Sequence, residues 1–500
     1  MKANRTETSN SNVGRPTSDA SGGPAQNIEM LQRERQPPYS GTVGTTGSGQ
    51  QVEVVPIVRL TAYKGNARTH TKKQIRQIAD SIARFGFCNP VLVDDANQII
   101  AGHGRVEAAK SLGYEDVPTL RIAHLTEAEK RAYVVADNRL AELAGWDREI
   151  LAIELQGLID LDFDVELTGF DTGEIDIILD DADQGRRESA EAEDDVPERV
   201  SGPPTSRIGD LWLLGTNRLL CGDARDNGSY DLLLNGGKAE LVFADPPYNV
   251  SINGHVCGLG EIQHREFAMA SGEMSPEAFT DFLKSTFSCL SAHTTDGSIH
   301  FVCVDWRHIG EMMEAGNASY SELKNVVVWA KSNAGMGSFY RSQHELIFVW
   351  KSGTAPHLNN VKLGQYGRSR TNVWKYDGIS TMRPGRREQL SWHPTVKPAA
   401  LVAGALKDCS RRNGIVLDPF AGSGTIFIAA EQTGRCAHGI EIDPGYIDVA
   451  IKRWQRFTGK FALLAGTDQT FKEIEGQRAH SGPPEVKAEH TAIPANREAA

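Results

Sequence analysis

Two short stretches of the chain concentrate residues able to do chemistry together. In Asp245-Pro246-Pro247-Tyr248, directly after the apolar run Leu241 to Ala244, two consecutive prolines fix φ and remove two backbone donors. The peptide carbonyls are thereby held as a rigid acceptor array beside a carboxylate and an aromatic ring. Asp245 and the Pro246 carbonyl can each accept one N–H of an exocyclic amine, drawing its lone pair out of conjugation, while Tyr248 offers a stacking face. The second stretch, Asp418-Pro419-Phe420-Ala421-Gly422-Ser423-Gly424-Thr425, joins an apolar run to a helical pattern. Its glycines permit a tight turn and close approach of a ligand to a helix N-terminus. Glu441 follows about twenty residues on, where an acid can accept hydrogen bonds from two ribose hydroxyls. Together these residues describe an adenosine site.

The elements that must carry them form a recognisable alternation. LVFADPPYN, SIHFVCVDW, NVVVWAK, HELIFVW, GIVLDPFAGSGT and HGIEID are short apolar runs separated by helical patterns. This is the mark of a mostly parallel sheet covered on both faces, with ligands bound beyond the carboxyl ends of its strands. Upstream, Thr71 is placed to cap a helix through Ile75, Ile78, Ala79 and Ile82 that stops near Gly86. A strand pair follows, and Gly102-His103-Gly104-Arg105 opens a second helix. Thr126 and Glu129 form a capping box for a longer one. The sequence thus predicts tails at 1–50 and 471–500, an α/β domain with a helical extension at 51–179, a linker at 180–206 and a larger α/β domain at 207–470.

The formal net charge of −12 is local. Residues 161–200 hold 15 Asp/Glu against 3 Arg, a net of −12, so the rest of the chain is balanced. Residues 351–391 carry 8 Lys/Arg against 2 Asp/Glu, interleaved with Tyr366, Trp374 and Tyr376. A basic, aromatic stretch of this kind fits phosphates and bases, with Arg368, Arg370, Lys375, Arg386 and Arg387 as its candidate contacts. No apolar run reaches the ~18 residues a membrane span needs, and no signal peptide is evident, so a cytoplasmic protein without a membrane partner is expected. The 7 cysteines include no C-x-x-C pair, which argues against a disulfide framework and a Cys-rich metal site; no metal is expected.

The order and spacing of Cys221-Gly222-Asp223, Asp245 to Tyr248, Trp392-His393-Pro394-Thr395-Val396-Lys397-Pro398, Asp418 to Thr425 and Gly439-Ile440-Glu441 resemble a β-group amino-methylating DNA methyltransferase. The resemblance implies a Rossmann-like fold with S-adenosyl-L-methionine as cofactor and double-stranded DNA as partner. It implies catalysis by Asp245, Pro246, Pro247 and Tyr248. Thr395 and Lys397 would hold the methionine end of the cofactor, Asp418, Phe420, Gly422 and Gly424 its central part, Glu441 its ribose, and Asp223 would contact the adenine edge or line that pocket. Transfer would be direct, from sulfonium to amine, on a flipped base. No Pro-Cys dipeptide is present, which excludes C5-cytosine chemistry.

Residues 54–122 resemble a ParB/sulfiredoxin-like domain through Asn66-Ala67-Arg68 and Ala101 to Val106. That resemblance implies a nucleotide at Gly102, His103, Gly104 and Arg105, a purely structural turn being the alternative. The expected whole is a site-specific adenine-N6 DNA methyltransferase, with N4-cytosine transfer, a non-catalytic ParB-like regulator and a protein-amide methyltransferase as alternatives, and a homodimer as a candidate assembly.

Overall fold

The computed structural model describes residues 51–183, 196–197, 202–250, 270, 272–332, 334, 339–361, 364, 370–377 and 396–480. The expected tail at 1–50 lies outside them, as does the acidic stretch 184–195 of the expected linker. Contacts divide the chain into two units, one running to Gly145 with Leu167–Gly169, the other holding Trp146–Glu166 and everything from Phe170.

In the first unit, strands β1 (Val52–Pro56), β2 (Thr61–Ala62), β3 (Val91–Val93), β4 (Gln98–Ala101) and β5 (Asp116–Arg121) form a sheet in the order β1-β5-β3-β4-β2. Helix α1 (Lys72–Phe85) starts at Thr71, whose hydroxyl accepts from the Gln74 amide at 3.1 Å, and ends at Gly86 with φ of 75°. Its Ile75, Ile78, Ala79 and Ile82 fall on one side and pack into the unit's core with Val91, Val93 and Val106. Helix α2 (His103–Ser111) follows Gly102, and α3 (Glu127–Leu143) opens on the full Thr126–Glu129 capping box.

The second unit begins earlier than the linker position suggests. Helices α4 (Arg148–Asp160) and α5 (Thr172–Asp183) lie within 51–179 or just beyond it, yet they group with the second unit. The cause is a buried ion pair. Asp176 of α5 receives Arg435 through two hydrogen bonds of 3.0 and 2.8 Å and Arg412 through one of 3.0 Å, while Lys407 pairs with Asp180 at 2.5 Å. Burial pushes the Asp176 carboxyl up, but the Arg435 and Arg412 guanidiniums outweigh it and hold the group below the usual range. The expected tail at 471–500 also starts too early, because Phe471 packs against Trp212 with ring centroids 5.3 Å apart and Arg478 pairs with Asp210. Residues 471–480 are therefore a packed helix, α12 (Phe471–His480).

The larger sheet runs through β6 (Leu211–Leu214), β7 (Asn217–Cys221), β8 (Ala239–Ala244), β9 (Thr294–Val304), β10 (Glu322–Ala330), β11 (His344–Lys351), β12 (Val373–Lys375), β13 (Ile415–Asp418), β14 (Cys436–Glu441) and β15 (Leu463–Leu464). Its order is β12-β10-β11-β9-β8-β13-β14-β7-β6-β15, with β7, β14, β13, β8 and β9 parallel and β11 antiparallel to β9. Because side chains alternate across a strand, Leu241 and Phe243 join one core and Val242 and Ala244 the other. The first core includes helices α9 (Ala399–Cys409), α10 (Thr425–Thr433) and α11 (Pro444–Thr458). The second includes α6 (Asn227–Leu234), α7 (Pro276–His293) and α8 (Ile309–Ser319). Burial on both faces explains why these strands read as continuous apolar runs.

From β13 the chain crosses through α10 to β14 on one side, whereas from β8 it crosses through α7 to β9 on the other. The adjacent strands β8 and β13 are therefore the topological switch point. A crevice must open above their carboxyl ends.

Asp176→Asn should leave the Arg435 guanidinium buried without its counter-charge and destabilise the second unit by about 3–5 kcal/mol, measured as the denaturant midpoint from tryptophan fluorescence. Since the folded-state pKa is depressed, this stabilisation is present at neutral pH and is lost as pH falls through that folded value. A midpoint equal to that of the unaltered protein would show that the pair does not secure α5.

Candidate functional site

At the carboxyl end of β8 the strand gives way to Asp245, and the two prolines that follow prevent the backbone from extending the ladder. The Asp245 Oδ2 accepts from Lys397 Nζ at 2.6 Å and its Oδ1 from the Tyr248 hydroxyl at 2.7 Å. Lys397 is only 5% exposed and lies 3.1 Å from Glu345 Oε2, which in turn lies 3.2 Å from the Tyr248 hydroxyl. Glu345 Oε1 takes the Lys331 ammonium, which also sits 4.6 Å from the Trp329 ring centroid. The result is a cluster of two carboxylates, two ammoniums and a phenol.

Asp245, Glu345 and Lys397 are displaced from their ordinary values. Burial, reinforced by the Glu345 charge, pushes Asp245 up against the opposing pull of Lys397. Burial would do the same to Glu345, but the Lys397 and Lys331 ammoniums hold it down to about 2. Burial disfavours the Lys397 cation, yet Asp245 and Glu345 more than offset it and keep that group protonated.

Beside this cluster, β13 ends in Asp418, whose Oδ1 accepts from the Phe420 amide at 3.0 Å. Gly424 precedes α10 with φ of 81°, and a Cβ there would stand 2.8 Å from Ala450 Cβ, so the turn admits no side chain. Arg453, buried on α11, braces the turn by donating to Thr425 Oγ1 at 2.9 Å. Glu441 closes β14. Its Oε2 accepts from the Gly422 amide at 2.9 Å and its Oε1 from the Asp443 amide at 2.8 Å. Burial pushes Asp418 up to about 8, with the Asp245 and Glu441 charges adding to it, and pushes Glu441 up to about 7.

A single cleft joins the two halves. Asp223, Asp245 to Tyr248, Lys397, Asp418, Phe420, Gly422 and Glu441 all line it. Phe282, Asp443 and Tyr446 do so as well, and nothing in the local sequence marks them. Asp223 reaches the cleft already engaged by Arg225, through contacts of 2.9, 3.0 and 2.6 Å, and that side-chain bond lowers its pKa.

Other sequence-predicted positions fare differently. Lys375 ends β12, which runs parallel to β10, and so stands on the catalytic edge of the sheet. Arg370, expected to face DNA, is turned inward. It pairs with Asp408 at 3.2 Å and stacks 4.4 Å from the Trp374 ring centroid, because the backbone at Gly404 leaves room for its guanidinium. Arg368, Arg386, Arg387 and Thr395 lie outside the described residues. In the first unit, Gly102 adopts φ of 103° at the start of α2, and the Gly104 backbone packs against His70 and Ile78. The Tyr63 amide donates to His103 Nε2 at 3.3 Å. Arg105 donates to the Asn89 and Pro90 carbonyls at 2.8 and 3.0 Å, so its guanidinium is partly spent on holding the turn.

Among the described residues no group of three His, Cys, Asp or Glu side chains could hold a metal ion. No helix there is long and apolar enough to cross a membrane.

Glu345 and Lys331 escaped sequence reasoning. The available signal was positional, since each is a charge at the polar end of an apolar run, NVVVWAK and HELIFVW. Pairing of those runs as an antiparallel hairpin sets Trp329 opposite Glu345 and brings both charges to the carboxyl edge.

A mixed α/β domain with paired acids and a glycine turn at its switch point is the architecture of a nucleotide-cofactor enzyme. Residues 239–452 match the N6/N4 DNA methylase family, residues 41–139 the ParB N-terminal domain, and residues 149–208 the ParB-methyltransferase helix-turn-helix domain. The chain thus carries an N6/N4 DNA methylase domain, preceded in sequence by a ParB N-terminal domain. It is 46% identical over 76 residues to the ParB-like nuclease domain-containing protein YnaK of Escherichia coli (strain K12), covering 15% of this chain and 87% of that protein. It is 24% identical over 233 residues to the type II methyltransferase M2.MboI of Moraxella bovis, covering 44% of this chain and 81% of that one. To the type II methyltransferase M.ScaI of Streptomyces caespitosus it is 36% identical over 93 residues, which is 19% of this chain and 31% of that one. The helix-turn-helix match covers α4 and α5, which the sequence reading took only as a helical extension.

Gly424→Ala should cost roughly 1–3 kcal/mol, since it adds a left-handed alanine to a contact too short for a methyl group. The thermal midpoint of the second unit checks this. An unchanged midpoint would show that the turn can relax around a Cβ.

Proposed function

We propose that the protein transfers a methyl group from S-adenosyl-L-methionine to the N6 amine of an adenine in duplex DNA. The observation that carries the reading is the single cleft in which Asp245 and the Pro246–Pro247 turn face the glycine turn and Glu441. The cofactor supplies an electrophilic methyl on a sulfonium, whose S–C bond breaks toward a neutral thioether as the N–C bond forms. The chain's residues do the rest.

Glu441, an acid at a strand end already fixed by two amides, offers the oxygen lone pairs that ribose hydroxyls need. The Gly422–Gly424 backbone gives the close approach, and Asp418, Phe420 and Asp223 bound the same space. Lys397 can meet a carboxylate at the methionine end only by sharing its three N–H donors between that group and Asp245 and Glu345. Asp245 accepts one N–H of the target amine and the Pro246 carbonyl the other, which aligns the lone pair. When nitrogen takes the methyl and becomes cationic, Asp245 receives the proton that leaves it. The ring of Tyr248 presents a stacking surface for a flipped base. We assign Lys375, with Arg368, Arg386 and Arg387, to the DNA backbone, and the Gly102–Arg105 turn to a nucleotide or DNA accessory role. The preference for adenine rests on Asp, rather than Ser, before Pro-Pro-Tyr.

Incubation with tritiated cofactor and duplex DNA, followed by nucleoside chromatography, tests the reading. N6-methyladenine is the expected product, N4-methylcytosine would shift the target, and no transfer would overturn the proposal. In the same assay Asp245→Ala should lower turnover by at least ~100-fold while leaving cofactor affinity within a few fold, as measured by calorimetry.

Cofactor affinity should rise with pH. Glu441 holds a proton up to about 7 in the free protein, and hydrogen bonds from hydroxyls favour its ionised form. The dissociation constant should therefore fall by up to about tenfold per pH unit below that value and level off above it. Glu441→Gln should flatten that dependence. A wild-type affinity independent of pH from 5.5 to 8 would remove Glu441 from the ribose site.

A further inference from the structure

Glu345 has no part in the transfer scheme above, yet it takes an ammonium on each of its oxygens, Lys397 on Oε2 and Lys331 on Oε1. It opens β11, two strand positions from β8, so its side chain reaches the Asp245 group across the carboxyl end of β9. An Asp245–Lys397 pair would be neutral by itself and would need no second acid. Here a second acid is present, and a second ammonium, Lys331, neutralises it on the far side. The four charges alternate as Asp245, Lys397, Glu345 and Lys331, and the Tyr248 hydroxyl lies 2.7 Å from Asp245 Oδ1 and 3.2 Å from Glu345 Oε2, with one O–H for which the two carboxylates compete.

That alternation sets the direction in which each charge acts on Asp245. Glu345 competes for Lys397 and repels negative charge on Asp245, so it raises the proton affinity of the group that must accept the amine's proton. Lys331 engages the opposite oxygen of Glu345 and so weakens the hold of Glu345 on Lys397. Among the described residues, the other titratable groups facing the cluster are Cys303 of β9 and Asp418 of β13. Burial pushes Cys303 well up, keeping it a neutral thiol, and Asp418 is common to every variant considered below.

We propose that Glu345 is a positioning residue for methyl transfer, anchoring the Lys397 ammonium beside Asp245 so that this carboxylate meets the target amine in a fixed orientation and charge environment. The inference rests on the methyl-transfer reading for its role, but not for the charge coupling itself. At the proton-transfer step the N–H bond of the methylated ammonium breaks and an O–H bond forms on Asp245. The nitrogen becomes a neutral methylamine and Asp245 a neutral acid, which solvent then deprotonates.

The test compares pH profiles of kcat/KM for duplex DNA at saturating cofactor in the full chain, for the unaltered protein, Glu345→Gln, Lys331→Gln and the double variant. Glu345→Gln removes a negative neighbour and frees Lys397 for Asp245, so the acidic limb should move down by roughly one pH unit. Turnover should fall about tenfold, with cofactor KM within about twofold. Lys331→Gln should move the limb the other way, and the double variant should return it toward the original position. A merely structural role would give lower activity without opposed shifts. Unshifted limbs, or shifts in the same direction, overturn the proposal.

Lys331 is partly exposed, so its variant decides the matter even if Glu345→Gln does not fold: an upward shift supports the proposal and an unmoved limb overturns it. Carboxyl titration of the free, 13C-aspartate-labelled protein, with Asp245→Asn to assign the signal, gives the same ordering without turnover. A protein that transfers no methyl group yet shows opposed Asp245 shifts would thus count against the methyl-transfer reading and not against the coupling. A protein that transfers methyl groups with no Asp245 shift would do the reverse.

Discussion

The ammonium of Lys397 is buried between two carboxylates, and much of the cleft follows from the need to keep it there. Taking a cation out of water costs several kcal/mol unless partners of opposite charge are held at hydrogen-bond distance. Here those partners come from separate parts of the chain, Asp245 after β8 and Glu345 at the start of β11, while Lys397 itself precedes α9. The strand ends must therefore coincide to within about an ångström. Parallel β8 and β9, with β11 antiparallel beside them, satisfy that condition because the ends of the first two and the beginning of the third share one edge of the sheet.

The neighbouring half of the cleft is governed by backbone geometry. β13 and β14 run parallel in register from Ile415 and Cys436, which sets Glu441 beside the glycine turn, where it accepts from the Gly422 amide. The close packing of Gly424 on Ala450 and the brace from Arg453 then fix the turn against α11. Asp418 is buried here and Glu441 half-buried, each accepting from backbone amides. Asp418 and Glu441 consequently hold protons into the neutral range, unlike the paired Glu345 a short distance away. Neighbouring acids with different partners thus carry different charge near neutral pH.

The helices ahead of the catalytic sheet show how a strongly acidic segment can still be built into a folded unit. Most acids of 161–200 have no structural task legible in the sequence, but Asp176 is enclosed by Arg435 and Arg412, and Asp180 by Lys407. Those contacts fasten α5 through side chains more than 200 positions away in the chain, and α4 packs on α5 through Leu155 and Ile175.

By itself the sequence determined the parts of this protein whose chemistry is local. The Asp245 to Tyr248 turn, the Gly422–Gly424 turn, Glu441 at its strand end, the Thr71 and Thr126 caps and the alternation of strands with helices all depend on residues within one element or one turn, where dihedral preference and period suffice. The placement of Lys397 near the cleft also followed from its motif, although its pairing with Asp245 did not. Tertiary structure alone decided what depends on pairing across distance: that Glu345 and Lys331 join Asp245, that Arg370 turns inward onto Asp408, that Asp176 draws α5 into the second unit, and that Phe471 extends the fold past the expected boundary. In each case the deciding quantity is the cost of a buried charge or apolar surface, relieved by a partner that strand order and helix packing bring near and that no spacing along the chain reveals.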